Sequence, residues 1–228
     1  MNSIIVDSTE PLTLVGAGQS SVAELALARK LAPDVVAVDG GAALCVAAEI
    51  IPQAIIGDLD SLDQETRTAG DTGIIYHITE QDSTDFAKAL RHTTAPIYIG
   101  VGFLGHRIDH ELAVLSDCMR FRDKPILLLG AADVIFLAPR TITLPLAPGT
   151  RVSLFPLAPV SGTSTGLEWP INGLTLAPGG PIGTSNRATG QVELSIDAPH
   201  LLCILPAQCL SLAMTALMQA RLWSAPAI

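Results

Sequence analysis

The chain has 228 residues, of which 49% are hydrophobic and 15% charged, and its formal net charge is −9. This acidity argues against a nucleic-acid binder, because neutralising a phosphate backbone requires clustered Lys and Arg. The apolar content excludes a disordered chain, and the length allows one large domain or two small ones.

Apolar runs alternate with segments of helical periodicity in the first part of the chain. The runs predict strands at residues 12–15, 35–38, 54–56, 74–78, 97–101, 126–129 and 134–137. The intervening segments predict helices at about residues 22–31, 42–50, 84–92 and 109–121. Strands that are apolar throughout and separated by helices indicate a largely parallel sheet between helices. We therefore predict an α/β domain for residues 1–140.

Beyond residue 140 the pattern changes to short apolar runs separated by Pro and Gly. The runs lie at residues 141–144, 151–156, 174–176, 191–196 and 201–205. Many short strands with turn residues between them are typical of a small all-β sandwich or barrel. We predict such a domain for residues 141–228.

The stretch 201–220 is uncharged and long enough to span a membrane. Pro206 and several polar residues interrupt it, so we expect a strand followed by a buried helix or a second strand, and no membrane partner. The start of the chain lacks the basic and apolar segments of a signal peptide.

The cysteines match no zinc-binding pattern and have apolar neighbours. They are Cys45, Cys118, Cys203 and Cys209. We expect four buried free thiols, which fits a protein of the reducing cytoplasm.

Acidic residues follow three of the predicted strands. Asp39 follows the second strand, Asp58 and Asp60 follow the third, and Asp82 and Asp85 precede the helix after the fourth. The carboxyl ends of parallel strands share one edge of a sheet, where ligands bind. Two carboxylates two residues apart project the same way and repel each other unless a cation such as Mg²⁺ lies between them. Each motif alone also fits a helix cap or a solvated turn, but the motifs at residues 58–60 and 82–85 together predict a cation site. Asp39 could orient a hydroxyl or a metal-bound water, or cap the following helix.

A glycine-bearing loop at residues 102–110 (GFLGHRIDH) lies between a predicted strand and a predicted helix. Such a loop leaves amide donors for an anion, and Arg107 adds a planar fork suited to a phosphate. Asp109 and His110 would open the helix. The segment therefore predicts a polyphosphate cradle.

Six short motifs occur in a characteristic order. They are VDGG at 38–41, IIGDLDS at 55–61, QDSTDF at 81–86, GHRIDH at 105–110, STGLEWP at 164–170 and GTSN at 183–186. In this order the motifs resemble those of the thiamine pyrophosphokinase family, and the likeness runs from about residue 12 to residue 205.

The resemblance implies ATP-dependent transfer of a pyrophosphoryl group to the hydroxyl of thiamine, giving thiamine diphosphate and AMP. It implies that Mg²⁺ is held by Asp58, Asp60 and Asp85, which would be catalytic together with Arg107 and Asp109. It assigns ATP binding to Asp39, Gly40, Gln81, Asp82, Thr84 and Gly105. It assigns thiamine binding to Trp169, Ser185 and Asn186. It further implies a homodimer with sites at the subunit interface.

Several alternatives remain open. Either Asp82 or Asp109 could accept the proton of the thiamine hydroxyl. The acceptor could also be a pterin-like alcohol, since the acidic and basic residues serve the phosphates, or the chain could be a sensor that binds without turnover. The sequence departs from the family pattern in its bulky loop residues Phe103 and Leu104 and in the apolar Val114.

Overall fold

The computed structural model describes residues 3–58, 74–80 and 82–226. The chain divides into two compact units. Unit 1 comprises residues 1–117 and 128–131, and unit 2 comprises residues 118–127 and 132–228. The predicted domain boundary at residue 140 stays a prediction.

The strands and helices of the first part of the chain alternate. The strands are β1 (Val6–Asp7), β2 (Leu12–Val15), β3 (Asp34–Val38), β4 (Ala54–Gly57), β5 (Ile74–His77), β6 (Thr93–Thr94) and β7 (Tyr98–Val101), followed by β8 (Ile126–Leu129). The helices are α1 (Val22–Arg29), α2 (Ala42–Ala47), α3 (Asp85–His92) and α4 (Ile108–Arg120), and a short 3₁₀ turn covers Asp39–Gly41. The predicted alternation of strands and helices is therefore confirmed.

Five strands of unit 1 pair in parallel in the order β7-β2-β3-β4-β5. β2, β4 and β7 are buried along their whole length, which explains why their sequences are continuous apolar runs rather than alternating patterns. Because β3 lies between β2 and β4, the chain segments that leave β3 and β4 emerge next to each other at the same edge.

Side-chain caps fix where two helices of unit 1 begin. Ser21 accepts a hydrogen bond from the backbone of Glu24, whose carboxylate accepts one from the backbone of Ser21, so a complete capping box starts α1. The Thr84 hydroxyl accepts from the Ala87 amide and starts α3. The cap at Thr84 determines where Asp85 enters the first turn of α3.

Unit 2 is rich in strands, as predicted, and its pairings are antiparallel. The strands are β9 (Asp133–Leu137), β10 (Thr141–Leu144), β11 (Arg151–Pro156), β12 (Val160–Leu167), β13 (Thr175–Leu176), β14 (Gly183–Ile196) and β15 (Leu201–Pro206). Their order is β13-β12-β14-β11-β15-β9, and β10 also pairs with β14. β14 alternates buried and exposed residues over residues 192–196, so one face of the strand contributes to the core of the unit.

The chain after β15 forms helix α5 (Leu210–Gln219), which agrees with the predicted strand followed by a buried helix. Trp223 is anchored beyond it, because its indole N–H donates to the Ala138 carbonyl and the Arg140 guanidinium lies 4.5 Å from its ring centroid. All four cysteines are buried free thiols, as predicted. Within the described ranges, no helix combines the length and the apolar character needed to cross a membrane.

Candidate active site

Three carboxylates of unit 1 converge at the ends of β3 and β4 and at the start of α3. Asp39, Asp58 and Asp85 each place one oxygen within 4.8 Å of the other two. The Asp58 amide also donates to Asp85 Oδ1 over 3.3 Å. The structure thus brings together Asp58 and Asp85, two of the three predicted metal ligands, and adds Asp39. The third, Asp60, lies outside the described residues.

Glycines allow the backbone to bring Asp39 this close. A Cβ atom on Gly41 would lie 1.8 Å from the carbonyl oxygen of Val15, and one on Gly57 would lie 2.9 Å from the Asp39 Cβ. Asp39 itself adopts φ = +47°, a conformation that Asp tolerates better than most residues but that stores strain. Glycine is therefore required at positions 41 and 57, because neighbouring backbone and the Asp39 Cβ leave no room for a side chain there.

Asp39 carries a buried polar atom that has no hydrogen-bond partner among the described residues. The residue is 8% exposed, and its Oδ1 is buried without a hydrogen-bond partner in the described part of the chain. Leaving a buried carboxylate oxygen unpaired is costly. Three converging carboxylates with one unsatisfied oxygen are a donor set that fits a hard divalent cation such as Mg²⁺.

Lys88 also reaches this cluster, and the sequence analysis did not identify it. Its Nζ lies 2.9 Å from Asp85 Oδ1 and 3.7 Å from Asp58 Oδ2, and its side chain is 1% exposed. Its position three residues after Asp85 was a signal of helical pairing, but its burial depends on tertiary packing.

The acidic cluster opens into a cavity of about 810 Å³. Four other residues with predicted roles in catalysis or ATP binding also line it: Asp82, Thr84, Gly105 and Arg107. Gln81 lies outside the described residues, and Gly40 follows Asp39 in the 3₁₀ turn. The Thr84 hydroxyl is already engaged, since it caps α3 and donates to the Asp117 carboxylate.

The bulky loop residue Phe103 has a packing role at the cavity wall. Its ring centroid lies 4.6 Å from that of Phe86 in α3. A Cβ on Gly16 would approach the Phe103 ring to 2.7 Å and the Gly102 carbonyl oxygen to 2.6 Å. Phe103 thus uses the space that the glycine leaves, and Val114 lines the same cavity.

Arg107 and Asp109 form an exposed ion pair at the start of α4. The Arg107 Nη2 lies 2.7 Å from Asp109 Oδ2, and Nε donates to Oδ1 over 3.2 Å. The hydrogen bonds from Arg107 hold the pKa of Asp109 below its usual value, and the same pair raises the pKa of Arg107. Both groups therefore stay charged at neutral pH, and Asp109 is a weaker proton acceptor than an unpaired carboxylate.

Two of the residues predicted to bind thiamine are held together in unit 2. Asn186 Nδ2 donates to the Trp169 carbonyl over 2.6 Å, and Asn186 Oδ1 accepts from the Trp169 amide over 3.2 Å. The Asn186 side chain is buried, whereas Trp169 is 54% exposed. Ser185 is exposed at φ = +62°, where the register between β11 and β14 shifts. Asn186 therefore fixes the turn that presents Trp169.

Two family models match the chain in succession. Residues 27–128 match the thiamin pyrophosphokinase catalytic domain, and residues 140–201 match the thiamin pyrophosphokinase vitamin B1 binding domain.

The curated relatives that match this chain are named thiamine pyrophosphokinase. Thiamine pyrophosphokinase 3 of Oryza sativa subsp. japonica is 32% identical over 154 residues, which cover 59% of this chain and 58% of the rice protein. Thiamine pyrophosphokinase 1 of Arabidopsis thaliana is 30% identical over 164 residues, covering 63% of this chain and 61% of the relative. The chain thus aligns with about three fifths of the length of these relatives.

Solved structures share the fold. Thiamin pyrophosphokinase from Candida albicans superposes with a TM-score of 0.76 at 16% identity, over 90% of this chain and 96% of that one. Thiamin pyrophosphokinase from Geobacillus thermodenitrificans superposes with a TM-score of 0.72 at 24% identity, over 86% and 97% of the two chains. With both domain models matched in order, this chain belongs to the thiamin pyrophosphokinase family.

Proposed function

We propose that the chain is a thiamine pyrophosphokinase, which transfers the pyrophosphoryl group of ATP to the hydroxyl of thiamine and releases AMP. The observation that carries the proposal is the convergence of Asp39, Asp58 and Asp85 at a cavity, where one buried carboxylate oxygen has no hydrogen-bond partner among the described residues. The two substrates, ATP and thiamine, are inferred from membership of the family.

In this proposal Asp39, Asp58 and Asp85 hold Mg²⁺ together with Asp60. The ion would neutralise charge on the ATP phosphates and polarise the phosphorus that is attacked. Arg107 lines the cavity with a guanidinium that is more than half exposed, so it can turn from Asp109 towards a phosphate oxygen and stabilise the charge that develops on the leaving AMP.

In this proposal the N-terminus of α3 contributes further groups to the phosphate site. Asp82 and Ser83 precede the helix and line the cavity, and Thr84 fixes the first turn through its cap. Gly105 donates its amide to the Glu111 carboxylate, an acceptor that a phosphate oxygen could replace. On the basis of the resemblance to the family, we assign Gly40 and Gln81 to nucleotide binding.

For the proton of the thiamine hydroxyl, we favour Asp82 over Asp109. Asp109 is tied to Arg107 and to the His110 amide, which lower its pKa, whereas Asp82 lies on the cavity wall. A general base must reach the proton and accept it at working pH. Replacement of Asp82 by Asn should lower kcat more than replacement of Asp109 by Asn.

We assign thiamine binding to residues 141–228. The exposed Trp169 indole is suited to the cationic thiazolium or to the pyrimidine ring, through cation–π contact or stacking. Ser185 adds an exposed hydroxyl, and Asn186 acts by holding Trp169 in place. Nucleotide binding is then the role of residues 1–140.

We further propose a cytoplasmic homodimer whose sites combine residues of both subunits. Two inactive variants test this arrangement, Asp58→Asn in the catalytic half and Trp169→Ala in the other. If one site draws on two chains, mixing the variants under exchange conditions restores activity up to about a quarter of wild type. Two monomers with complete sites each would show no recovery.

The direct test measures AMP release from ATP and Mg²⁺, with and without thiamine, and identifies the organic product by mass. We expect AMP and thiamine diphosphate in equal amounts, and neither product when thiamine or the metal is omitted. AMP formation with pterin-like alcohols but not with thiamine would assign a different acceptor. ATP binding without AMP release under any condition would indicate a sensor and refute the proposal.

A further inference from the structure

Lys88 occupies an unusual position for a lysine in this site. It lies on α3 one turn after Asp85, and its side chain is only 1% exposed. An ammonium group is rarely buried unless it is paired, because desolvation strongly disfavours the charged form. Its partners are two carboxylates of the acidic cluster, Asp58 and Asp85.

The hydrogen bonds of Asp85 show what Lys88 does to the cluster. Asp85 Oδ1 accepts both from Lys88 Nζ, over 2.9 Å, and from the Asp58 amide, over 3.3 Å. These two donors restrain the orientation of the Asp85 carboxylate. Lys88 therefore helps to set how Asp85 is presented in the cluster.

Lys88 does not act on the substrate directly. Among the described residues, those that line the cavity include Asp58 and Asp85 but not Lys88. A side chain that is 1% exposed can reach a phosphate only if α3 moves. Any influence of Lys88 on the reaction is therefore transmitted through the two carboxylates.

We infer that Lys88 is the internal counter-cation of the site: it balances the carboxylate charge when no metal is bound and thereby sets the affinity for Mg²⁺. Three carboxylates within 4.8 Å of one another repel each other strongly in a partly desolvated site. One fixed ammonium reduces the formal charge of these three carboxylates from −3 to −2 and so weakens their mutual repulsion. This inference rests on the metal assignment of the proposed function.

Lys88 and Mg²⁺ both compensate the negative charge of the same carboxylates. Each therefore reduces the stabilisation that the other provides. Two groups coupled in this way are antagonistic, and removing one strengthens the effect of the other. A lysine that served only to pack α3 would change stability by the same amount with and without the metal.

The experiment compares the wild-type chain with Lys88→Met, which keeps the length of the side chain and removes the charge. Lys30→Met is the matched control, since Lys30 is an exposed lysine at the end of α1. Melting temperatures are recorded over a Mg²⁺ titration without ATP or thiamine, so the readout does not depend on activity.

We expect Lys88→Met to melt lower than wild type without metal and to regain most of the loss in saturating Mg²⁺. The Mg²⁺-induced rise should at least double, and its midpoint should fall at least five-fold. Lys30→Met should follow the wild-type titration, and Lys88→Arg, which keeps the charge, should stay near it. If Lys88→Met does not fold at all, Lys88→Gln is judged by the same criteria.

An equal or smaller Mg²⁺-induced rise in Lys88→Met overturns the inference and leaves the proposed function standing. A wild-type chain that Mg²⁺ does not stabilise overturns the inference together with the metal assignment. Formation of AMP and thiamine diphosphate is measured separately on the wild type, so a wrong substrate is recognised independently of either result.

Discussion

Replacing Asp39 by Asn tests the acidic cluster most directly. Asp39 is 8% exposed, its Oδ1 has no hydrogen-bond partner in the described ranges, and its backbone lies at φ = +47°. Asn has the same shape and tolerates the same left-handed conformation. The substitution therefore removes a charge without creating a cavity or new backbone strain.

The geometry gives the size of the expected effect. Two unit charges at most 4.8 Å apart repel by at least about 3.5 kcal/mol at an effective dielectric constant of 20. Asp39 faces two such neighbours, and Lys88 offsets part of this repulsion. We expect the metal-free Asp39→Asn variant to be more stable than wild type by about 1–2 kcal/mol, or roughly 2–8 °C in melting temperature for a chain of this size.

The same substitution should remove function. A lost metal ligand weakens the neutralisation of phosphate charge in the transition state, and about 3 kcal/mol of lost stabilisation lowers kcat by roughly 10²-fold. The Mg²⁺-induced rise in melting temperature should shrink as well. The variant would thus gain stability while it loses activity, as substitutions at strained functional sites often do.

The assay for Asp39→Asn combines thermal unfolding with and without Mg²⁺ and the rate of AMP release. Asp34→Asn is the control, because Asp34 lies at the opposite end of β3 and accepts a hydrogen bond from Ser8. A metal-free Asp39→Asn that melts below wild type, with an unchanged response to Mg²⁺, would show that Asp39 neither repels its neighbours nor binds the metal.

Three further substitutions or treatments probe other parts of the chain. Gly41→Ala should lower stability by about 1–3 kcal/mol and reduce activity, because the new Cβ would lie 1.8 Å from the Val15 carbonyl oxygen; wild-type melting would contradict the close approach. Asn186→Ala should destabilise the chain by about 1–3 kcal/mol and raise the KM for thiamine more than it lowers kcat, because Trp169 loses its anchor; intrinsic fluorescence should report the greater freedom of the indole. Burial raises the pKa of Cys45 to about 11, so alkylation at pH 8 should be slow in the folded chain and accelerate as the pH rises towards that value; rapid labelling at pH 8 would show that the thiol is accessible.

The sequence was sufficient to place most of unit 1. Continuous apolar runs predicted β2 to the residue, and the other strands of the parallel set within one or two residues. The helix predicted at 42–50 is shorter in the structure, where α2 ends at Ala47. The Ile50 amide then donates a hydrogen bond to the Cys45 carbonyl. Glu49 adopts φ = +56° there, a conformation that no local pattern signals for a glutamate.

Unit 2 was harder to predict because two of its strands are largely polar. β12 has the sequence VSGTSTGL, which is rich in small and hydroxyl residues and lacks an apolar alternation, and the first half of β14 is likewise polar. The two strands pair with each other, and β14 also pairs with β11 and β12 with β13. Their backbone hydrogen bonds come from distant segments, so a local reading of the sequence recognises only residues 191–196.

The candidate site likewise combines residues that local sequence patterns predict with residues that only the tertiary structure brings in. The positions of Asp58 after a predicted strand and of Asp85 at the start of a predicted helix were enough to predict that the two would be neighbours, because both follow from local patterns and sheet topology. The inclusion of Asp39 depends on the side-by-side pairing of β3 and β4, and the role of Lys88 depends on its burial. The functions of these residues stay predictions until they are tested.

Three features that oppose stability occur together in this one part of unit 1. Asp39 has a strained backbone and a buried carboxylate oxygen that no described residue pairs with, and one of its oxygens lies within 4.8 Å of an oxygen of Asp58 and of Asp85. Each of these costs free energy in the metal-free chain. Elsewhere in the described structure, buried charged or polar side chains such as Asp117 and Asn186 are hydrogen-bonded. Local rules of folding are therefore broken where a bound cation would compensate for the free energy that this arrangement costs. This concentration of strain and charge argues for a ligand site more strongly than the acidic residues alone.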